Sequence, residues 1–376
     1  MLSADIKRGI KMIDEKFLKK EEIAVYNLRK LYGKYGYFPY KMSKFEEYEL
    51  YIRNKDFLVS DRIITFNDTN GKLLALKPDV TLSIIKNGDD KKGVKQKVYY
   101  NENVYRISGN TNRYKEIMQA GLECIGDIGR YDIYEVISLA AQSLAQISDS
   151  FVLEISHLDI LAGVLEKSCS DKLFIRKAIS YISEKNLHDL MRLCDDYGVN
   201  NDNREILSLF IQSYGERNKV IENLEKALGF DAIKEIKELS NMLDELPFSS
   251  KILFDFSVLN DMNYYNGFVF KGFIDGICDG VLAGGQYDKM MAKMGRKSAA
   301  IGFAIYLDML EQLDKERNEY DTDVLILYDD TTKTEEIAEK VRENIDMGKT
   351  VNVQKKIPDK FRYKEKIDLK KVDEKC

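Results

Sequence analysis

Apolar residues along the chain change their period several times, and each change marks an element. From about Val98 to Ile125 the texture is strand-like: KVYYNENVYRIS is rich in aromatic and β-branched residues, and EIMQAGLECIG repeats it after a polar break. From about Ser150 to Leu246 apolar residues instead recur three and four apart, in DKLFIRKAISYISEKNLHDLMRLCDDYG, REILSLFIQSYGERNKVIENLEKALG and DAIKEIKELSNMLDEL, with Gly198 and Gly229 where helices would end. This stretch reads as an inserted helical subdomain. Strand character returns with KILFDFSVL, NYYNGFVFKGF and GICDGVLAGG, and AAIGFAIYLDMLEQL reads as a strand running into a helix, so one sheet is expected to resume after the insertion. Beyond about Glu319, DVLILYDD, EEIAEKVRENI and TVNVQKK form a strand, helix, strand unit, followed by a charged tail, DKFRYKEKIDLKKVDEKC, with little to bury. The expected organisation is a core over 1–149 and 247–318, a helical insertion over 150–246 and a small α/β unit over 319–376.

Alternation along EIMQAGLECIG places Gln119, Gly121 and Glu123 on one face and Met118, Ala120, Leu122 and Cys124 on the other. The second set is ordinary core. The first sets an amide and a carboxylate around a glycine that leaves room against the sheet. The preceding strand offers Tyr100, Glu102, Val104 and Arg106 on one face. If buried, these polar groups satisfy one another or a polar ligand; if not, they form a solvated sheet face. Other segments leave similar alternatives. LKPDVT is a strand-ending turn or a loop presenting Asp79, Tyr264–Tyr265 are half-buried strand tyrosines or ligand contacts, and Gly284–Gly285 mark a tight turn or a close approach of backbone to ligand.

Bulk properties narrow the classes. The chain has 376 residues and is 44% hydrophobic, enough for two or three domains. Its net charge of −5 comes from interspersed charges, which disfavours a nucleic-acid-binding surface. Five scattered cysteines without a CxxC pair, and two histidines, His157 and His188, with no ligand spacing, argue against a disulfide framework or a zinc site. Both histidines read as incidental. No signal sequence or membrane-spanning run is present in the sequence, so a cytoplasmic protein is expected.

In order along the chain, these segments resemble the catalytic core of histidyl-tRNA synthetase, a class II aminoacyl-tRNA synthetase, over roughly residues 1 to 315. GYFPYKMSKFEEYELY is similar to the first class II motif, around Pro39, which builds the family's dimer interface. LKPDVT resembles the family's amino-acid loop, which reads leucine, arginine, proline, glutamate, glycine, threonine. VYRISGNTNRYKEIMQAGLECIG resembles the second motif and the strand after it, AGGQYDKMMAKMG and AAIGFAIYLDML the approach to the third, and NYYNGFVF the histidine-specific segment. The resemblance implies an α+β fold with a mainly antiparallel sheet and flanking helices. It also implies a histidine site made of Asp79, Thr81, Arg106, Gln119, Glu123, Tyr264 and Tyr265, with Gln119 and Glu123 at the amino-acid end, Asp79 on the ammonium and the tyrosines on the imidazole.

Departures from the family pattern fall on the ATP side. Ser108 stands where the second motif has a glutamate, Asn260 and Asp261 where the histidine-specific segment has an arginine and a glycine, and Met309, after Asp308, where the third motif has its phosphate-clamping arginine. Losing one donor aimed at developing charge costs on the order of 10²–10³ in rate. The C-terminal unit resembles the opening half of the family's anticodon-binding domain, with the remainder expected to be missing and tRNA therefore an improbable partner. The combination resembles the synthetase-like regulatory subunits that partner the short form of ATP phosphoribosyltransferase. That likeness implies no catalysis and no cofactor or metal in this chain, a homodimer through the core, and histidine as feedback effector of the separate catalytic subunit. The competing readings are a truncated histidine-activating enzyme and an RNA- or protein-binding module without amino-acid recognition.

Overall fold

The computed structural model describes residues 18–55, 58, 63–88, 93–107, 112–259, 264–313 and 320–370. The chain forms two compact units, Met1–Gln312 and Leu313–Cys376. In the first, helix α1 (Lys20–Lys34) leads into short strands β1 (Phe38–Pro39) and β2 (Phe45–Glu47), helix α2 (Tyr48–Arg53), strands β3 (Thr65–Asn67) and β4 (Leu73–Leu76), and helix α3 (Thr81–Asn87). Two long strands, β5 (Lys95–Ile107) and β6 (Tyr114–Gly126), precede α4 (Arg130–Ile147) and β7 (Phe151–His157). Then come α5 (Leu158–Ser168), α6 (Lys172–Ser183), α7 (Leu187–Asp196), α8 (Asn201–Gln212), β8 (Tyr214–Gly215), α9 (Arg217–Leu228) and α10 (Phe230–Leu243). The unit closes with β9 (Ile252–Asp255), β10 (Asn266–Ile274), β11 (Leu282–Gln286), α11 (Asp288–Lys293) and β12 (Ala299–Tyr306).

Among the described residues nine strands make one sheet in the order β1-β5-β6-β12-β11-β10-β7-β9-β8, antiparallel from β5 through β7 and parallel at β1–β5 and β7–β9. This is the expected mixed, mainly antiparallel α+β architecture. Period-2 alternation then gives each strand two environments. On one face Ala120, Leu122 and Cys124 are buried with Tyr32 of α1 and Leu144 of α4, and Tyr32 and Ser143 hydroxyls are 3.0 Å apart across the two helices. The other face carries a second core cluster in which Val98, Tyr100 and Val104 pack with α3, α11 and the small β2-β4-β3 sheet. Gly121 sits on this face because a Cβ there would overlap the Phe303 carbonyl and come within 2.5 Å of the Tyr100 hydroxyl.

Three local expectations change. Phe151–His157 is a strand paired with β10, so the helical stretch begins at Leu158; FVLEISH is apolar enough in either period that short-window spacing does not separate them. The helices that follow are amphipathic, and three of them are capped by side chains: Asp171 accepts from Leu173 N and Phe174 N, Asn186 from Asp189 N, and Asn200 from Asn203 N. The segment after β12 winds as a 3₁₀ turn, Leu307–Leu313. Gly284 and Gly285 lie inside β11, where side chains would strike Phe303, Phe270 and Tyr265, so they mark close strand packing and not a turn.

In the second unit, β13 (Thr322–Leu327) is flanked by parallel neighbours β14 (Val351–Gln354) and β15 (Tyr363–Asp368), with helix α12 (Thr334–Asp346) between β13 and β14 in the chain. The charged tail is thus partly a strand. Its lysines are compatible with an edge, and Lys364 reaches Asp323 of β13 at 2.7 Å.

Candidate functional site

The β5–β6–β12 register builds a floor. Tyr100 pairs opposite Gly121, Gly121 opposite Ala304, and Glu123 opposite Gly302, so the side chains that project from this face surround two glycines. A Cβ on Gly302 would overlap Glu123 Oε2. The walls come from the loop ahead of α3, from the residues just before β10, and from Tyr287 at the end of β11. Together they enclose a cavity of about 390 Å³ lined by all of Asp79, Thr81, Arg106, Gln119, Glu123, Tyr264 and Tyr265.

Glu123 is the buried centre, 2% exposed. Thr81 Oγ1 donates to its Oε1 at 2.8 Å and the Tyr287 hydroxyl to its Oε2 at 2.6 Å. Burial pushes its carboxyl up to about 8, the two hydroxyl donors opposing and nearby Asp79 adding to the rise. Burial drives the pKa of the Tyr264 phenol well above its ordinary value. The Tyr264 and Tyr265 rings meet at a tilt of 51° with centroids 4.4 Å apart, and Tyr264 and Tyr287 lie 6.0 Å apart. Asp79 accepts from Leu82 N at 2.9 Å at the start of α3; burial raises its carboxyl, while that backbone bond and the Arg106 charge hold it down.

Two groups in the cavity have hydrogen-bonding capacity left over. Arg106 donates through Nε to the Pro78 carbonyl at 3.0 Å, and its terminal nitrogens have no hydrogen-bond partner among the described residues. Gln119, 4% exposed, has none for its amide. By contrast Glu102, on the same strand face as Arg106, is satisfied by Lys77 Nζ at 2.8 Å, a fully buried lysine, and does not line the cavity. The cavity therefore offers carboxylates, an amide, a guanidinium and aromatic rings in one place, which suits a small zwitterion with a polar ring.

Sequence reasoning passed over Tyr287, because AGGQYD drew attention to its glycines; the tyrosine one residue beyond β11 was the available signal. Tyr100, noted only as part of a face, and Tyr306 also line the cavity. Asp308 and Met309 lie on the 3₁₀ turn and do not line it. Ser108, Asn260 and Asp261 lie outside the described residues.

The family model for histidyl-tRNA synthetase matches residues 9–310. The chain belongs to the histidyl-tRNA synthetase family. Within that family its curated relatives include the ATP phosphoribosyltransferase regulatory subunits of Acetivibrio thermocellus, 26% identical over 320 residues, 80% of this chain and 75% of the relative, and of Ruminiclostridium cellulolyticum, 26% identical over 86% of this chain and 80% of the relative. A similar solved structure, an ATP phosphoribosyltransferase regulatory subunit/histidyl-tRNA synthetase from Bacillus halodurans, superposes with a TM-score of 0.75 at 21% identity, covering 96% of this chain and 97% of that one. A chain of the ATP phosphoribosyl transferase complex from Thermotoga maritima gives 0.62 at 20% identity, over 77% of this chain and 98% of that one. At these identities the solved structures speak for the fold. Among the described residues no helix is long and apolar enough to cross a membrane.

Proposed function

We propose that this family member is a regulatory subunit of ATP phosphoribosyltransferase that binds histidine and does not activate it. The observation that carries the proposal is the convergence of the seven residues on one cavity, with Arg106 and Gln119 still able to bond a ligand, in a chain that has Met309 where the family's phosphate-clamping arginine stands. The names of the curated relatives support the regulatory role. In this reading Asp79 takes the ammonium, and Arg106 and Gln119 take the rest of the amino-acid end. Glu123 is read at the imidazole end with Tyr264 and Tyr265, because the Tyr287 hydroxyl that bonds Glu123 belongs to a ring 6.0 Å from that of Tyr264. A protein that recognises histidine without processing it acts through differential affinity, coupling the ligand to a partner's conformational equilibrium.

The homodimer belongs to the same proposal. Around Pro39, Phe38 is 71% exposed, and the exposed rings of Phe45 and Phe66 meet edge to face at 5.6 Å on the small sheet, an apolar surface that a second copy would cover.

The test mixes the protein with a short-form ATP phosphoribosyltransferase. Expected are no phosphoribosyl transfer by this chain alone, increased turnover in the mixture, and its decrease on adding histidine. Failure of the two proteins to co-elute in size-exclusion chromatography at micromolar concentration, with and without histidine, would overturn the regulatory reading. Histidine-dependent ATP–pyrophosphate exchange by the isolated chain would instead establish the histidine-activating enzyme.

A further inference from the structure

A second polar cavity, of about 440 Å³, opens between α5 and α10. At one end is His157, the last residue of β7 and the one preceding α5. Its ring is 5% exposed and packs edge-on against Phe268 with centroids 4.6 Å apart. Neither ring nitrogen makes a hydrogen bond; Glu235 Oε2 lies 3.4 Å from Nε2 without the alignment of one. A neutral imidazole has one donor and one acceptor nitrogen, and a buried pair left unmet is unfavourable.

The surroundings define what would meet it. Asp159 comes from α5, and Asp231 and Glu235 stand one turn apart on α10, so three carboxylates line the cleft against the single ammonium of Lys167. Asp159 accepts Gly267 N at 3.1 Å and keeps an oxygen available, while Asp231 and Lys167 form no ion pair among the described residues. Ile160 and Val164 supply apolar lining between the charged groups. A metal ion does not fit, since among the described residues no three His, Cys, Asp or Glu side chains are grouped to hold one. We propose that this cleft is a second ligand site, taking an organic cation: an ammonium or guanidinium group on a short alkyl chain, whose N–H groups are accepted by Glu235, Asp159 and a ring nitrogen of His157. The inference is independent of the histidine reading of the first cavity.

The composition supplies a clean test, because the chain contains two histidines, His157 and His188. The full chain, labelled with ¹³C at histidine Cε1, is titrated with agmatine and with 1,4-diaminobutane at constant ionic strength, with tetramethylammonium as a cation lacking N–H donors; His188→Gln assigns the two resonances. Saturable movement of the His157 resonance is expected with both N–H donors and not with tetramethylammonium. Affinity should fall about tenfold in Glu235→Gln, whose unchanged His188 resonance would report an intact fold. A His157 resonance unmoved at millimolar agmatine, moved equally by tetramethylammonium, or reporting unchanged agmatine affinity in Glu235→Gln would overturn the proposal.

Discussion

The two cavities solve the problem of a buried titratable group in opposite ways. In the sheet-floored cavity, Glu123 is met by two hydroxyls, Thr81 and Tyr287, from separate elements, and the unmet capacity lies with Arg106 and Gln119. In the helix-walled cleft, His157 has no hydrogen bond at all and its carboxylate neighbour Glu235 is largely solvent-exposed. The first arrangement is preorganised, its central acceptor fixed before any ligand arrives; the second leaves the central group waiting. The difference teaches that burial alone does not identify a recognition site. What distinguishes the first is that its buried carboxylate is positioned by groups that also touch the aromatic wall.

The largest effect is expected from removing the fixed acceptor. Glu123→Ala is expected to weaken histidine binding about 100-fold by calorimetry, the scale of a buried hydrogen bond lost with its partners left unmet, and a loss below about threefold would remove Glu123 from the site. The pH dependence of stability is the next effect. The folded carboxyl of Glu123 is raised from 4.5 to about 8, so the folded state holds a proton that the unfolded chain releases. Its contribution is fully present below the unfolded pKa and is lost as pH rises through the folded one. Glu123→Gln, which mimics the protonated form, should therefore melt higher than the parent by an amount that grows from about pH 4.5 to about pH 8 and then levels off, on the order of several degrees. A pH-independent difference in Tm would contradict the assigned burial.

Adding a methyl to the floor tests its geometry: Gly302→Ala should cost ~1–3 kcal/mol in denaturant unfolding and abolish histidine binding, because Glu123 must shift. The smallest effect is expected in the cleft, where Glu235→Gln on an exposed helix face should change stability by no more than ~0.5 kcal/mol. A larger loss would mean that Glu235 holds α10 in place and is not spare to the fold.

Much of the first site was legible because a strand leaves its side chains two choices. Once Gln119 and Glu123 shared a face with Gly121, regular pairing put them together, and β5 added Arg106 from the neighbouring strand. Alternation likewise places Glu102 on the face of Arg106, but it carries no sign that a buried Lys77 claims that carboxylate from the loop leading to α3. That contact is tertiary and leaves no periodic trace. Tyr287 is similar, since its hydroxyl meets Glu123 164 residues away. His157 read as incidental because no ligand spacing surrounds it in sequence; Glu235, its nearest carboxylate, comes from the far end of the helical stretch. In the second unit, β15 was hidden by its lysines, for an edge strand can carry charge on both faces while its backbone pairs with an apolar neighbour.

The glycines under the first cavity limit how such a protein can diverge. Gly121 and Gly302 lie where any side chain would collide with Phe303, Tyr100 or Glu123, and Gly285 where one would strike Tyr265. Selection for a different ligand therefore finds the floor closed to single substitutions. Innovation has to enter through the walls, at the Asp79 loop, the paired tyrosines and Tyr287, so lineages of this chain that acquire new specificities should differ there while inheriting the same glycine floor.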